Sequence, residues 1–220
     1  MIKCIIFDLD GTLINTLNDL AITANETLNE FGYDPIDIEK YRYFVGNGIR
    51  KLIERCLVEN NIDLINLDKV YNKFLENYNL SYLRYASIYE GMNEVLNILK
   101  EDGYLLFVNT NKNDQIAKAM INHFFKDIFI DVYGDSINYP RKPDPFMINK
   151  IKIEYNLNND EFIYIGDSNV DVKTAHNAFV KAIGCAYGFR GKEELINAKV
   201  DYLITKPLEI LKIIKNSLQK

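Results

Sequence analysis

The chain alternates between short unbroken apolar runs and longer stretches in which apolar residues recur every three or four positions. Six runs bounded by turn signals predict strands buried on both faces: Ile2 to Phe7, Tyr104 to Val108, Ile128 to Tyr133, Phe162 to Ile165, Ala182 to Ala186 and Tyr202 to Ile204. Between them, Met92, Val95, Leu96 and Leu99 mark one helical face. Ile116, Ala117, Met120, Ile121 and Phe124 mark a second, and Leu208, Leu211, Ile214 and Leu218 a third. Strands that alternate with helices of this length predict an α/β architecture: a mostly parallel sheet with helices on both faces.

The alternation breaks once. From Leu17 to about Tyr85 the pattern is only helical, through Leu20, Ala21, Ala24 and Leu28, then Leu52, Ile53 and Cys56, then Val70, Phe74 and Tyr78. A block this long is not one crossover helix, so it predicts an inserted all-helical domain at 16–85 within a core formed by 1–15 and 86–220. The insertion leaves and returns near the carboxyl end of the first strand, where it is expected to cover whatever lies there. No internal repeat or low-complexity tract is present.

Composition changes the picture only by exclusion. The net charge is −5, and no basic stripe of the kind that tracks a phosphate backbone is present, so nucleic acid is not an expected partner. Cys4, Cys56 and Cys185 are widely spaced in apolar contexts, which predicts buried thiols in a reducing compartment. Asp8 and Asp10 interrupt the first apolar run too early for a signal peptide, and no segment approaches the ~18 uncharged residues of a membrane span. A cytoplasmic protein, monomer or dimer, is expected.

What the first run ends on is unusual, because DLDGT places two acids where a buried strand stops. In open α/β sheets ligands bind outside the carboxyl ends of the strands. The polar residues at those ends are Asp8 and Asp10, then Thr110 and Asn111, then Asp167 and Asp171, with Lys142 in the loop RKPDP. Four carboxylates in one crevice repel one another unless a cation sits among them or some are protonated. The donors are all oxygens, which favours Mg²⁺ over zinc, with Asp8, Asp10, Asp167 and Asp171 as candidate ligands. A bound phosphate, at roughly −1.5 to −2 near neutral pH, strengthens the need for Mg²⁺ and for Lys142.

Roles follow from position. Asp8 can attack phosphorus to form an aspartyl phosphate, and Asp10 can protonate the leaving oxygen and later take a proton from water. Gly11 permits the tight turn, and the amides around Leu9 and Asp10 can bind phosphoryl oxygens. Thr110 supplies a hydroxyl donor, Gly11 and Asn111 are candidates for binding substrate, and Lys142 offsets charge on nucleophile and phosphoryl group. Arg50, after Gly46, Asn47 and Gly48, could reach a substrate carboxylate or second phosphate, or could simply open a helix. His123 and His176 have no partner ligands nearby in sequence, and the tyrosines of the insertion fit packing better than binding.

DLDGTL, Thr110 in FVNTNK, Lys142 in KPDP and GDSNVDVKTA resemble, in order, the four motifs of the haloacid dehalogenase superfamily. That resemblance implies a Rossmann-like core with a helical cap inserted after the first motif. Within the superfamily the chain is most similar to phosphoglycolate phosphatases, through VGNGIRKLIERCL, GYLLFVNTNK and KPDPFMI. The implied function is Mg²⁺-dependent hydrolysis of a small phosphorylated metabolite such as phosphoglycolate. Asp10 supports phosphate chemistry within the superfamily, since dehalogenases generally lack an acid there. Asn15, Glu90 and Phe179 depart from the family pattern, outside the inferred chemistry. Two other activities fit parts of the pattern: a sugar-phosphate mutase using the same aspartyl phosphate, and a phospho-accepting signalling module. The module's acceptor acid lies on a later strand, and it has no helical insertion.

Overall fold

The first apolar run forms β1 (Cys4–Phe7), and the short β2 (Ile14–Asn15) follows it in a computed structural model that describes residues 1–216. Only helical segments come next: α1 (Leu17–Glu30), α2 (Ile38–Phe44), α3 (Ile49–Glu59) and α4 (Leu67–Ser81). After β3 (Ser87–Ile88) the chain alternates through α5 (Met92–Glu101), β4 (Leu105–Asn113), α6 (Asp114–Phe124), β5 (Asp131–Asp135) and α7 (Phe146–Tyr155). It continues with β6 (Phe162–Gly166), α8 (Asn169–Asn177), β7 (Lys181–Cys185), α9 (Gly191–Asn197), β8 (Tyr202–Ile204) and α10 (Glu209–Asn216). Leu218, expected on the last helical face, lies outside the described residues.

Two compact units result: Met1–Ile14 together with the chain from Ile88 onward, and Asn15–Ser87. In the first unit six strands pair in parallel in the order β5-β4-β1-β6-β7-β8, with helices around the sheet. This is the parallel sheet expected of the alternation and the Rossmann-like core that the family resemblance implies. Every side chain of β1 is buried, because it has a strand on either side and is covered on both faces. Each such aliphatic or aromatic side chain contributes about 1.5–3 kcal/mol by leaving water.

The strand order positions the site. From β1 the sheet grows one way through β4 to the edge strand β5, then resumes on the other side with β6, β7 and β8. Such a reversal leaves a crevice at the carboxyl ends of the two strands where it occurs, here β1 and β6. Their register pairs Phe7 with Ile165, so the residues just beyond, Asp8 on one strand and Gly166 and Asp167 on the other, emerge together.

Several strand limits differ from the apolar runs. β5 starts at Asp131 rather than Ile128, and β4 continues past Val108 to Asn113. The extension is polar, yet Asn109, Thr110, Asn111 and Lys112 are all buried. Its register against β5 shifts between Asn109 and Asn113, an irregularity of the kind that bends a strand and re-aims its side chains. An apolar-run criterion ends at Val108 because these four residues are buried by specific partners, not by hydrophobicity.

In the helical unit, Leu20, Ala21, Ala24 and Leu28 of α1, Leu52, Ile53 and Cys56 of α3, and Val70, Phe74 and Tyr78 of α4 are buried. The buried Tyr41 hydroxyl donates to Asn25 Oδ1 at 2.8 Å, and Phe74 stacks on Tyr78 with centroids 5.3 Å apart. Among the described residues no helix is long and apolar enough to cross a membrane. The three cysteines are unpaired and buried.

Candidate active site

Asp8 stays in sheet geometry one residue beyond β1, its amide donating to Ile165 O at 2.8 Å. Its carboxylate Oδ1 accepts from Leu9 N at 2.7 Å and from Lys142 Nζ at 2.8 Å. Burial pushes the Asp8 carboxyl up to about 7, the charge of Asp171 adds to this, and Lys142 opposes it. After Asp10 the chain turns sharply at Gly11, whose φ is +81°, and Leu9 O accepts from the amides of Leu13 and Ile14 at 3.0 and 3.1 Å. A Cβ on Gly11 would lie 2.3 Å from Asp167 Oδ2, so glycine is required for space as well as for conformation.

Asp167 follows β6, and Asp171 lies in the first turn of α8. Phe189 N donates to Asp167 Oδ2 at 2.7 Å. Asp171 Oδ2 accepts from the amide and hydroxyl of Ser168, at 3.0 and 2.6 Å, within a capping box that opens α8. Its other oxygen accepts from Lys142 Nζ at 2.7 Å. Oxygens of Asp8, Asp167 and Asp171 lie within 4.8 Å of one another, all three residues being buried. Burial, then the charges of Asp171 and Asp8, hold the Asp167 carboxyl well above the usual carboxylate range.

Lys142 bridges this group. Burial alone would push its ammonium down, but Asp171 and Asp8 together hold it well above the ordinary lysine value. Its main chain is fixed by Asn111, whose Nδ2 donates to Lys142 O at 3.2 Å while Oδ1 accepts from Lys142 N at 3.0 Å. Asn111, a candidate for binding substrate on sequence grounds, thus places the bridging lysine. Thr110 is buried, and its Oγ1 accepts from Lys112 N at 3.3 Å.

Asp10 sits apart from the three-acid cluster. Its two carboxylate oxygens accept from Lys112 Nζ at 3.0 and 3.2 Å. Arg50 belongs to the helical unit, where its guanidinium pairs with Asp68 at 2.6 Å and stands 5.7 Å from the Tyr71 ring centre.

Sequence reasoning missed Lys112, Ser168, Gly166 and Gly188. A Cβ on Gly166 would lie 2.3 Å from Asp171 Cβ, and one on Gly188 would lie 2.3 Å from Asp167 Cβ. Lys112 left a signal: in an extended chain it falls two positions from Thr110 and so on the same side of the strand. The glycines left less, since closeness between distant segments is not written locally.

A family model described as haloacid dehalogenase-like hydrolase matches residues 5–185, a span that contains Asp8, Asp10, Thr110, Lys112, Lys142, Asp167 and Asp171. The chain belongs to that family. Within this hydrolase family it is similar to the phosphoglycolate phosphatase of Psychrobacter arcticus, 31% identical over 220 residues covering 92% of this chain and 96% of the relative. A second relative, the phosphoglycolate phosphatase of Vibrio parahaemolyticus, is 29% identical and covers 97% of this chain and 96% of its own. The crystal structure of a predicted phosphoglycolate phosphatase from Haemophilus somnus superposes with a TM-score of 0.91 at 27% identity, covering 97% and 98% of the two chains. The protein is a phosphoglycolate phosphatase-like hydrolase of the haloacid dehalogenase family.

Proposed function

We propose that this phosphatase hydrolyses a small phosphorylated metabolite, with phosphoglycolate as first candidate, through a phosphate ester of Asp8 and with Mg²⁺ as cofactor. The observation that carries the reading is Lys142, buried between Asp8 and Asp171 beside the third acid, Asp167. The relatives' names supply the substrate candidate.

The donor set fits a small divalent ion. It offers three buried carboxylates and no histidine or cysteine ligand, the chemistry of a hard cation. Four acids, Asp8, Asp10, Asp167 and Asp171, stand against two ammonium groups, Lys112 and Lys142, leaving two negative charges when all are ionised. Asp8, Asp167 and Asp171 would hold the ion. Asp10, expected from sequence as a fourth ligand, is engaged by Lys112 and keeps only its acid–base role. When bound, the ion neutralises charge on the phosphoryl oxygens and on the carboxylates it touches.

The chain's own residues divide the work. An oxygen of Asp8 bonds to phosphorus as the bond from phosphorus to the leaving oxygen breaks, and Asp10 gives that oxygen a proton. Asp10 then takes a proton from the water that attacks phospho-Asp8, releasing inorganic phosphate and restoring the carboxylate. Thr110 donates its hydroxyl to a phosphoryl oxygen, and Lys142 holds Asp8 in line while offsetting charge. Leu9 N, already bonded to Asp8 Oδ1, fixes the nucleophile rather than the phosphate. The buried, unpaired cysteines fit the cytoplasm as the compartment.

Phosphate release across phosphorylated metabolites, with Mg²⁺, with chelator and with Asp8→Asn, tests this. Release should need the metal and fall by more than about 10³-fold in the variant. Turnover that survives either treatment would exclude the proposed mechanism.

A further inference from the structure

Lys112 is a buried ammonium that the mechanism above does not use. It is the penultimate residue of β4, with only 1% of its side chain exposed, and it grips both oxygens of an Asp10 side chain that is itself 14% exposed. Its backbone amide donates to Thr110 Oγ1, so one residue touches two of the groups assigned to chemistry. Burying an ammonium is costly without a matched partner, and a two-point contact to one carboxylate supplies both the charge and the direction.

We propose that Lys112 is a positioning residue for the reaction: it holds the Asp10 carboxylate clear of the Asp8, Asp167 and Asp171 cluster and aims it at the leaving oxygen. The proposal rests on the phosphatase reading and deepens it. Three acids already lie within 4.8 Å of one another, and a fourth carboxylate only two residues from Asp8 in the chain would be drawn to the same cation. Lys112 supplies the competing attraction. Lys112 lies within the stretch of β4 where the register against β5 shifts, between Asn109 and Asn113, and its ammonium reaches Asp10, two residues beyond the nucleophile.

Position at the leaving group has a signature that general stabilisation lacks. An alkyl phosphate needs a proton on its departing oxygen, whereas a nitrophenolate leaves readily without one. Lys112→Met should therefore lower kcat by about 100-fold on an alkyl phosphate and by less than about 5-fold on p-nitrophenyl phosphate, with KM little changed. In an Asp10→Asn background the same substitution should cost nothing further, because the group it acts through is gone. Lys112→Arg, which keeps the charge, should restore much of the alkyl phosphate rate. Lys112→Gln, which removes the charge but keeps a polar side chain, replaces Lys112→Met in the double-variant cycle if the methionine protein does not fold.

Equal losses on both substrates, full additivity with Asp10→Asn, or a rise confined to KM for carboxylate-bearing substrates would each overturn the assignment. The last result would make Lys112 a substrate-reading residue. Failure of the underlying reading looks different: wild-type protein would release no phosphate from either ester, or Asp8→Asn would leave release intact, whatever residue 112 is.

Discussion

Single residues in this site are constrained by space as much as by charge. Gly166 illustrates it, since a methyl group there would meet Asp171 Cβ and Cγ, both 2.3 Å away. Neither atom belongs to a mobile side-chain tip, so α8 itself must shift. Gly166→Ala is expected to destabilise the fold by about 1–3 kcal/mol, measured by urea denaturation. It should also lower turnover by about 100-fold, because Asp171 carries Lys142 with it. Unchanged turnover would show that Asp171 does not set the lysine. At this scale the sequence was legible where chemistry announces itself. Asp8 and Asp167 stand out as charges where apolar runs end and Lys142 as a cation in a proline-flanked loop, and the structure gathers them around one cluster. It was illegible where the requirement is an empty volume, as at Gly166 and Gly188, or an exact reach, as at Lys112.

Two elements do more than present residues. The first turn of α8 is capped by Ser168, whose amide and hydroxyl both bond Asp171 Oδ2, so one helix start orients both Asp171 and, through it, the bridging lysine. Ser168→Ala should cost about 1 kcal/mol of stability. It should also weaken Mg²⁺ binding by about 10–100-fold, the usual consequence of loosening a partner behind a ligand. Calorimetric titration of the metal would decide, and an unchanged affinity would remove Asp171 from the ion's orientation. The second element is β4. Its apolar half from Leu105 to Val108 could be read from sequence, but its polar half could not, because burial of Asn109, Thr110, Asn111 and Lys112 depends on Tyr164, Lys142 and Asp10, which come from elsewhere in the chain. A residue-by-residue hydropathy pattern does not register partners brought by the fold.

For the whole molecule, the cluster of acids sets how stability responds to pH and metal. The Asp8 carboxyl lies at about 7 in the fold against an ordinary value of 3.8, so the folded chain holds a proton that the unfolded chain has released. This group's contribution to stability therefore falls as pH rises from about 4 through 7, and Asp167 shifts in the same direction. Lys142, held above its ordinary value, stays charged throughout that window and does not offset the trend. Mg²⁺ must displace the retained proton, so it should bind more tightly at pH 8 than at pH 6. At a hundredfold excess over Kd it should stabilise the fold by about 2.7 kcal/mol. Thermal melts with and without Mg²⁺ at the two pH values check this: a metal-induced rise in Tm that is larger at pH 6, or absent at both, would contradict the three-acid set.

The amide of Asp8, hydrogen-bonded to Ile165 between two central strands, ties the reacting group to the part of a fold that opens last. Fraying at the edges of the sheet, or in the loops around it, leaves that bond intact. The main chain beneath the nucleophile should therefore keep its place through openings at the sheet edges, and be lost to heat only when the central sheet itself comes apart.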